Sequence, residues 1–193
     1  MVAFGEAERA GTLHRIERDD AAAFAALASD YAPAPRSNEW LDADPSPAGI
    51  ARFLENAVAR RLQGRGEWVA IWTDEGLAGA IGMELLSSSA GIASVDYLLG
   101  PRFRGRGLAT AAVGAFIDHL FRSTPLHRIE INPDVENKPS CAVADRLGFR
   151  REGVLRERLH YADGYGDQAV YALLRRDWAE RAAEAGAARP RSP

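Results

Sequence analysis

A strand, a glycine-rich turn and a helix follow one another without a break from residue 95, and this succession constrains the fold most. Val95 to Leu99 is a short apolar run typical of a buried strand. The turn carries three arginines and two glycines: Arg102, Arg104, Gly105, Arg106 and Gly107. Apolar residues then recur at the spacing of an amphipathic helix: Val113, Phe116, Ile117, Leu120 and Phe121. The sequence therefore predicts a strand that feeds a helix through a glycine turn.

This turn has the chemistry of an anion site. The first N–H groups of a helix have no intrahelical partner and lie at the positive end of its dipole. Glycine lets an anion approach them closely, and guanidinium groups suit phosphate geometry. The pattern R-x-x-G-x-G begins at Arg102 and lacks the lysine of an NTPase phosphate loop. Thr110 stands where a dinucleotide fingerprint has its third glycine. We expect a pyrophosphate cradle; the alternative is a solvated turn between two core elements.

Composition narrows the class of protein. The chain has 193 residues, 47% of them hydrophobic, which fits one globular domain. A net charge of −3 argues against general nucleic-acid binding, and a single cysteine excludes a disulfide framework or a cysteine-rich metal site. No apolar run is long enough to span a bilayer or to form a signal peptide. We expect a soluble cytoplasmic protein without a metal.

The pattern along the chain predicts a mixed α/β (α+β) domain over residues 12–178, between flexible ends at 1–11 and 179–193. Short turns join three predicted strands, 68–72, 77–85 and 92–99, so these are antiparallel. The strand at 128–131 returns after a helix and is parallel to its predecessor. Helices are expected after Asp20, after the Ser46–Pro47 cap and after Asn137. Later strands complete a twisted, mostly antiparallel sheet of about seven strands flanked by helices.

Four motifs stand in one order: Arg102-x-x-Gly105-x-Gly107, Asn137-x-x-Ser140, Leu147-Gly148-Phe149 and Glu152-Gly153. Together they resemble the GNAT superfamily of acetyl-CoA-dependent N-acetyltransferases, within it the branch of the ribosomal-protein N-terminal acetyltransferases. The resemblance implies the single-domain GNAT fold and acetyl-CoA as the co-substrate. It also implies a strand 95–99 that separates from its neighbour and receives the pantetheine arm. The residues implied to bind acetyl-CoA are Leu98, Leu99, Arg102, Arg104, Gly105, Arg106, Gly107, Leu108, Ala109, Asn137 and Ser140.

Acetyl transfer to an amine needs a neutral amine, an oxyanion donor and a proton for the departing thiolate. By the resemblance, Ser140 hydrogen-bonds or protonates the sulfur, and Asn137 contacts the pantetheine arm. The structural alternatives are a helix-start hydroxyl for Ser140 and a turn former for Asn137. Cys141 is interpreted as buried filler.

The base is the open point, because Ala111 stands where this branch often has an acidic residue. Glu84 and Glu152 are the predicted catalytic carboxylates, with Asp96 and His160 as further candidates. Trp40, Asp96 and Tyr165 are predicted to line the acceptor site. Each of these residues could instead be a solvated, capping or loop-anchoring side chain.

The expected activity is transfer of an acetyl group to a primary amine, with a protein N-terminus, such as that of a ribosomal protein, as the acceptor. Alternatives are a small-amine acetyltransferase for a polyamine or an aminoglycoside-like acceptor, and a non-catalytic acyl-CoA-binding protein of the same fold. A nucleotide-binding oxidoreductase is disfavoured, because it needs a parallel sheet where residues 68–99 predict antiparallel strands. No nucleic-acid or membrane partner is expected, and a homodimer is left open.

Overall fold

The structure is a computed structural model that describes residues 1–5, 10–30 and 44–187. Its centre is one sheet of eight strands in the order β1-β2-β3-β4-β5-β6-β8-β7. The strands are β1 (Val2–Phe4), β2 (Gly11–Arg15), β3 (Gly66–Thr73), β4 (Gly76–Ser87), β5 (Ile92–Leu99), β6 (Arg128–Ile131), β7 (Arg150–Tyr161) and β8 (Gly164–Leu174). The helices are α1 (Ala21–Ser29), α2 (Pro47–Leu62), α3 (Leu108–Ser123), α4 (Lys138–Arg146) and α5 (Arg175–Ala187).

All described strand pairs are antiparallel except β5 and β6, which are parallel and joined through α3. The predicted mixed, mostly antiparallel sheet is therefore confirmed. The sheet has eight strands rather than about seven because Val2–Phe4 pairs with β2 in the register Val2↔Leu13. Strand β1 itself lies within residues 1–11, where the sequence predicts a flexible end.

Helices cover the sheet on two sides. The apolar side of α3 packs on one face, where Phe116, Ile117 and Leu120 join the larger core with Val95 and Leu99. On the other face, α1 and α2 bring Phe24, Leu27, Ile50 and Leu54 against Leu98 and its neighbours in the sheet. Successive residues of β5 thus point alternately to the α3 face and to the α1–α2 face, as the pleat requires.

The predicted start of α2 is confirmed in detail. The Ser46 hydroxyl accepts the Gly49 N–H at 3.1 Å, and Pro47 occupies the first helical position. Ahead of α1, Asp20 accepts the Glu17 N–H at 2.9 Å and steadies the entry to the helix.

At the other end, α5 continues to Ala187, although the sequence predicts a flexible tail from residue 179. Arg175 ties the start of this helix to the end of α3, because its guanidinium donates to three carbonyl oxygens, those of Phe121, Thr124 and Leu126. The domain limits 12–178 stay a prediction.

Candidate functional site

A cleft opens between β5 and β6. These two parallel strands pair only from Ile92↔Arg128 to Ser94↔Glu130, and β6 ends at Ile131. Strand β5 continues to Leu99 and stays paired with β4 on its other side, up to Gly79↔Leu99. Beyond Ser94, the described β5–β6 ladder stops, so β5 turns a backbone edge towards the cleft. The sequence-based expectation that residues 95–99 separate from a neighbouring strand agrees with this register.

The glycine turn closes one end of the cleft. Gly105 and Gly107 have φ angles of 76° and 77°, in the left-handed region that disfavours side chains, and Gly107 is the N-cap of α3. No side chain caps α3 there, and a Cβ built on Gly105 meets no atom within 4 Å. The first N–H groups of α3 therefore face open space at the positive end of its dipole.

The three arginines of the turn all have protein partners. Arg104 Nε donates to the Leu99 carbonyl at 2.9 Å, and Arg106 Nη1 lies 2.5 Å from Glu75 Oε1. Arg102 lies 3.8 Å from the Asp30 carboxylate. These contacts hold the turn to the end of β5 and to the β3–β4 turn. Backbone N–H groups are thus the main donors for an anion, with the guanidinium groups around them.

The apolar residues predicted to bind acetyl-CoA are mostly buried. Leu98 lies in the core of the α1–α2 face, and Leu99 and Leu108 lie in the α3-face core. Ala109 is half-buried against the same α3-face core. Since these side chains are committed to packing, only the backbone of these residues is available to a ligand.

At the N-terminus of α4, Asn137 and Ser140 divide two roles. Asn137 is the N-cap, and its Oδ1 accepts the Ser140 N–H at 3.2 Å. The Ser140 hydroxyl instead lies 2.9 Å from the Tyr97 hydroxyl of β5. The Ser140 hydroxyl therefore contacts Tyr97 across the cleft and is not the group that caps α4.

Asp96 lies one residue before Tyr97 and points to the opposite face of the sheet, the face of Leu98, α1 and α2. Asp96 is exposed to solvent, yet the surrounding protein still partly desolvates its carboxyl. This desolvation, with the nearby Glu84 carboxylate as the smaller cause, raises the pKa of Asp96 above its ordinary value. A raised pKa in a cleft is typical of a group that exchanges protons.

The two predicted catalytic carboxylates are already paired. Glu84 lies 2.8 Å from Arg60 of α2. Glu152 takes a bidentate pair of hydrogen bonds from Arg128, at 3.0 and 2.7 Å, and these bonds lower the pKa of Glu152 and raise that of Arg128. Glu152, held in this way, is a poor proton acceptor, and the Glu84 carboxylate is engaged with Arg60, so we favour Asp96 over both as the base.

Of the two aromatic residues predicted to line the acceptor site, the structure describes one. Trp40 lies outside the described residues. Tyr165 lies in the β7–β8 hairpin, 62% exposed, with its ring 5.0 Å from that of His160. The structure thus gathers Asp96, Asn137, Ser140 and the glycine turn around the cleft, and it places Tyr165 and His160 together on the hairpin.

Sequence reasoning missed two residues. Tyr97 could have been found from the alternation of β5, which puts it on the same face as Val95 and Leu99. Asp134 is buried; its carboxylate accepts the Tyr161 hydroxyl and the Glu136 N–H, both at 2.7 Å, and so fixes the loop before Asn137. A polar Asn-Pro-Asp turn after a strand gives no hint of that burial.

Over the described residues, no group of three or more His, Cys, Asp or Glu side chains could hold a metal ion. The helices in the same part of the chain are all too short or too polar to cross a membrane.

The comparisons with known proteins decide the family. Residues 12–150 match the model of the acetyltransferase (GNAT) domain. The chain belongs to the GNAT family. YdaF of Bacillus subtilis (strain 168) is 30% identical over 147 residues, 74% of this chain and 80% of that protein. The ribosomal-protein-serine acetyltransferase of Escherichia coli (strain K12) is 28% identical over 139 residues, 72% of this chain and 78% of that protein.

Among solved structures, Mycobacterium smegmatis RimJ in complex with CoA-disulfide has a TM-score of 0.81 and 25% identity. The match covers 95% of this chain and 93% of that one. The predicted GNAT fold, the resemblance to the ribosomal-protein branch and the assignment as an N-acetyltransferase are confirmed. The open, mostly antiparallel sheet excludes the doubly wound oxidoreductase alternative.

Proposed function

We propose that this GNAT protein transfers the acetyl group of acetyl-CoA to the N-terminal amine of a protein, such as a ribosomal protein. The observation that carries the proposal is the cleft beside β5, where Asp96 and Tyr97 point to opposite faces of the sheet. A thioester held in the plane of the sheet is then open to an amine on the Asp96 side, while its sulfur leaves towards Ser140, the partner of Tyr97.

The donor is held mainly by backbone. The N–H groups at Gly105, Gly107, Leu108 and Ala109 bind the pyrophosphate, helped by the dipole of α3. The edge of β5 at Leu98 and Leu99 receives the pantetheine amides, and Asn137 contacts the arm from α4. This assignment uses the open space beside Gly105, in a turn where both glycines have left-handed φ angles.

The chemistry is direct attack. The neutral amine nitrogen bonds to the thioester carbon, the carbon–sulfur bond breaks, and one proton moves from nitrogen to Asp96. The sulfur leaves as a thiolate, which the Ser140 hydroxyl stabilises by a hydrogen bond before a proton reaches it from water. Asp96 suits its role because its raised pKa makes it a stronger base than an ordinary aspartate.

The acceptor side carries more carboxylates than guanidinium groups. Asp96, Glu84 and Glu130 lie on neighbouring strands of the α1–α2 face, and Glu152 reaches Arg128 on β6. Arg60 pairs with Glu84, and Arg128 pairs with both Glu130 and Glu152, so the carboxylates exceed these two cations. A net negative field draws in an amine that arrives as an ammonium ion. The name of the E. coli relative, a ribosomal-protein-serine acetyltransferase, supports a protein acceptor. The cytoplasmic location and the oligomeric state stay predictions.

The acceptor is tested by the release of free thiol from acetyl-CoA in the presence of a panel of amines. We expect release with peptides that begin with a free Ser or Ala, and none with the same peptides blocked at the N-terminus. Faster release with spermidine than with every peptide would replace the protein acceptor by a polyamine. Mass spectrometry of the product then locates the acetyl group on the α-amine.

A further inference from the structure

We propose that Tyr97 is a positioning residue: its phenol donates to Ser140 Oγ and so directs the Ser140 proton at the departing sulfur. The inference rests on the proposed function, because it assigns how one group of that site is held. It starts from the 2.9 Å contact between the two hydroxyls.

Tyr97 is well placed to hold a fixed geometry. It lies on β5 three residues beyond Ser94, where the pairing with β6 stops. Its backbone is paired with Ile81 of β4, and its half-buried ring packs against the α3-face core. A phenol on a paired strand with a packed ring loses little further entropy when it orients a neighbour.

The Ser140 hydroxyl is free for this task because another residue caps α4. Asn137 Oδ1 accepts the Ser140 N–H, so capping does not require the hydroxyl of Ser140. At the C-terminal ends of α1 and α3, by contrast, hydroxyls donate to a carbonyl of the preceding turn: Ser29 to Ala26, Ser123 to His119 and Thr124 to Leu120. Those protons are used within the helix. Ser140 faces a phenol instead.

The direction of the Tyr97–Ser140 bond follows from the acidity of the two groups. A phenol has a pKa of about 10 and is a better donor than an aliphatic hydroxyl, which accepts readily. When Tyr97 donates, the single Ser140 proton remains available to a third atom. In the proposed reaction, this third atom is the sulfur of the developing thiolate, which lies in the cleft beside Ser140.

The first test is Tyr97→Phe, which removes the oxygen and keeps the ring. We expect kcat to fall roughly three- to ten-fold, the equivalent of one net hydrogen bond. The dissociation constant for acetyl-CoA, measured by calorimetry, and the Tm should stay near those of the parent. A loss that appears only as weaker acetyl-CoA binding would overturn the inference.

A double-mutant cycle with Ser140→Ala tests whether Tyr97 acts through Ser140. We expect Tyr97→Phe to slow the parent and to have almost no effect in the Ser140→Ala background. An equal loss in both backgrounds, or no loss in either, contradicts the proposed role while Ser140 keeps its own. If the parent releases no thiol with any amine of the panel, the proposed function falls, and this inference with it.

Thr124→Val is the matched control. It removes a part-buried hydroxyl that donates to the Leu120 carbonyl at 2.7 Å, at the C-terminal end of α3, opposite the end that bears the glycine turn. We expect it to lower the Tm by several degrees and to leave kcat near the parent value at a temperature where it is folded. The opposite pattern in Tyr97→Phe, a lower kcat at an unchanged Tm, separates positioning from a general loss of packing.

Discussion

At the scale of single residues, Asn137 and Ser140 have different partners at the start of α4, and this difference predicts the effect of removing the Ser140 hydroxyl. Because Asn137 is the cap and Ser140 meets Tyr97, removing the Ser140 oxygen should affect chemistry more than folding. We expect Ser140→Ala to lower kcat roughly ten- to a thousand-fold, with little change in acetyl-CoA affinity, because a thiolate exists only late in the reaction.

Ser46→Ala is the control for Ser140→Ala, since Ser46 does cap a helix with its hydroxyl. It should cost about 1 kcal/mol of stability and leave kcat unchanged. Steady-state kinetics and thermal melts on both variants give the comparison. If Ser140→Ala keeps the kcat of the parent but has a lower Tm, the Ser140 hydroxyl has a structural role and not a catalytic one.

Asp96 gives a second residue-scale prediction, on pH dependence. As a base it works only when ionised, so kcat/KM of the parent should fall as the pH drops through its raised pKa. Asp96→Asn should lose this limb and be slower by roughly a hundred-fold or more. A pH–rate profile of Asp96→Asn that keeps the parental acidic limb would remove Asp96 from the role.

The same shift predicts a gain in stability. A carboxyl whose pKa is raised by folding destabilises the folded state as the pH rises above its pKa in the unfolded chain, and this penalty is complete above its raised pKa in the folded protein. Asp96→Asn should therefore melt at a higher temperature than the parent at neutral pH. The difference should close as the pH falls into the range where the aspartate is protonated in both states. Thermal melts across that range measure it.

At the scale of elements, the glycine turn and the first turn of α3 together are the site that we propose for the pyrophosphate. A glutamate at Gly105 would fill the open space beside the α3 N–H groups and set a negative charge against a pyrophosphate. We expect Gly105→Glu to abolish the rise in Tm that coenzyme A gives the parent. The same holds for Gly107→Glu.

Gly64→Glu is the control for the cradle variants, because Gly64 has a similar φ of 65° and equally open surroundings, beyond the end of α2. It carries the same backbone strain and the same added charge away from the turn. Gly64→Glu should keep the full response to coenzyme A. Equal responses in Gly64→Glu and Gly105→Glu would show that the turn is not the binding site.

The sequence predicted these elements well where a short-range signal exists. Strands β5 and β6 have the predicted bounds, and Ser46–Pro47 begins α2 as expected. The β1 strand was missed because three residues without alternation carry no signal until β2 offers them an edge. The Tyr97–Ser140 contact joins residues 43 positions apart and follows only from where β5 and α4 meet.

At the scale of the whole molecule, Arg175 joins the last strand and α5 to the end of α3. Its guanidinium donates to three carbonyl oxygens at 2.5 to 2.6 Å. These hydrogen bonds cap the C-terminal end of α3 and the turn that follows it. We expect Arg175→Ala to cost about 2–4 kcal/mol in the free energy of unfolding, because several acceptors lose a charged donor together. Denaturant unfolding measures that cost.

Arg176→Ala is the neighbouring control, since Arg176 is exposed and its partner Asp177 is adjacent in sequence. Its effect should stay within about 0.5 kcal/mol. Similar losses in the two variants would mean that α5 does not anchor α3 through Arg175.

Contacts between residues that are distant in the sequence also limit how much of the site can be predicted from the sequence. The order of the four motifs indicated the family and the cradle, but the base was left open among Glu84, Asp96, Glu152 and His160. Only the fold shows that Arg60 holds Glu84 and that Arg128 holds Glu152, while Asp96 lies in the cleft with a raised pKa. Partners that distant in sequence leave no local pattern.

The rate of thiol release from acetyl-CoA, with and without a peptide that has a free N-terminus, is the sharpest test of an N-terminal acetyltransferase. We expect release that depends on the peptide, saturates with it, and yields one acetylated α-amine for each thiol. We also expect Gly105→Glu to abolish this release and Gly64→Glu to preserve it. Thiol release at the same slow rate with and without any amine would contradict the assignment.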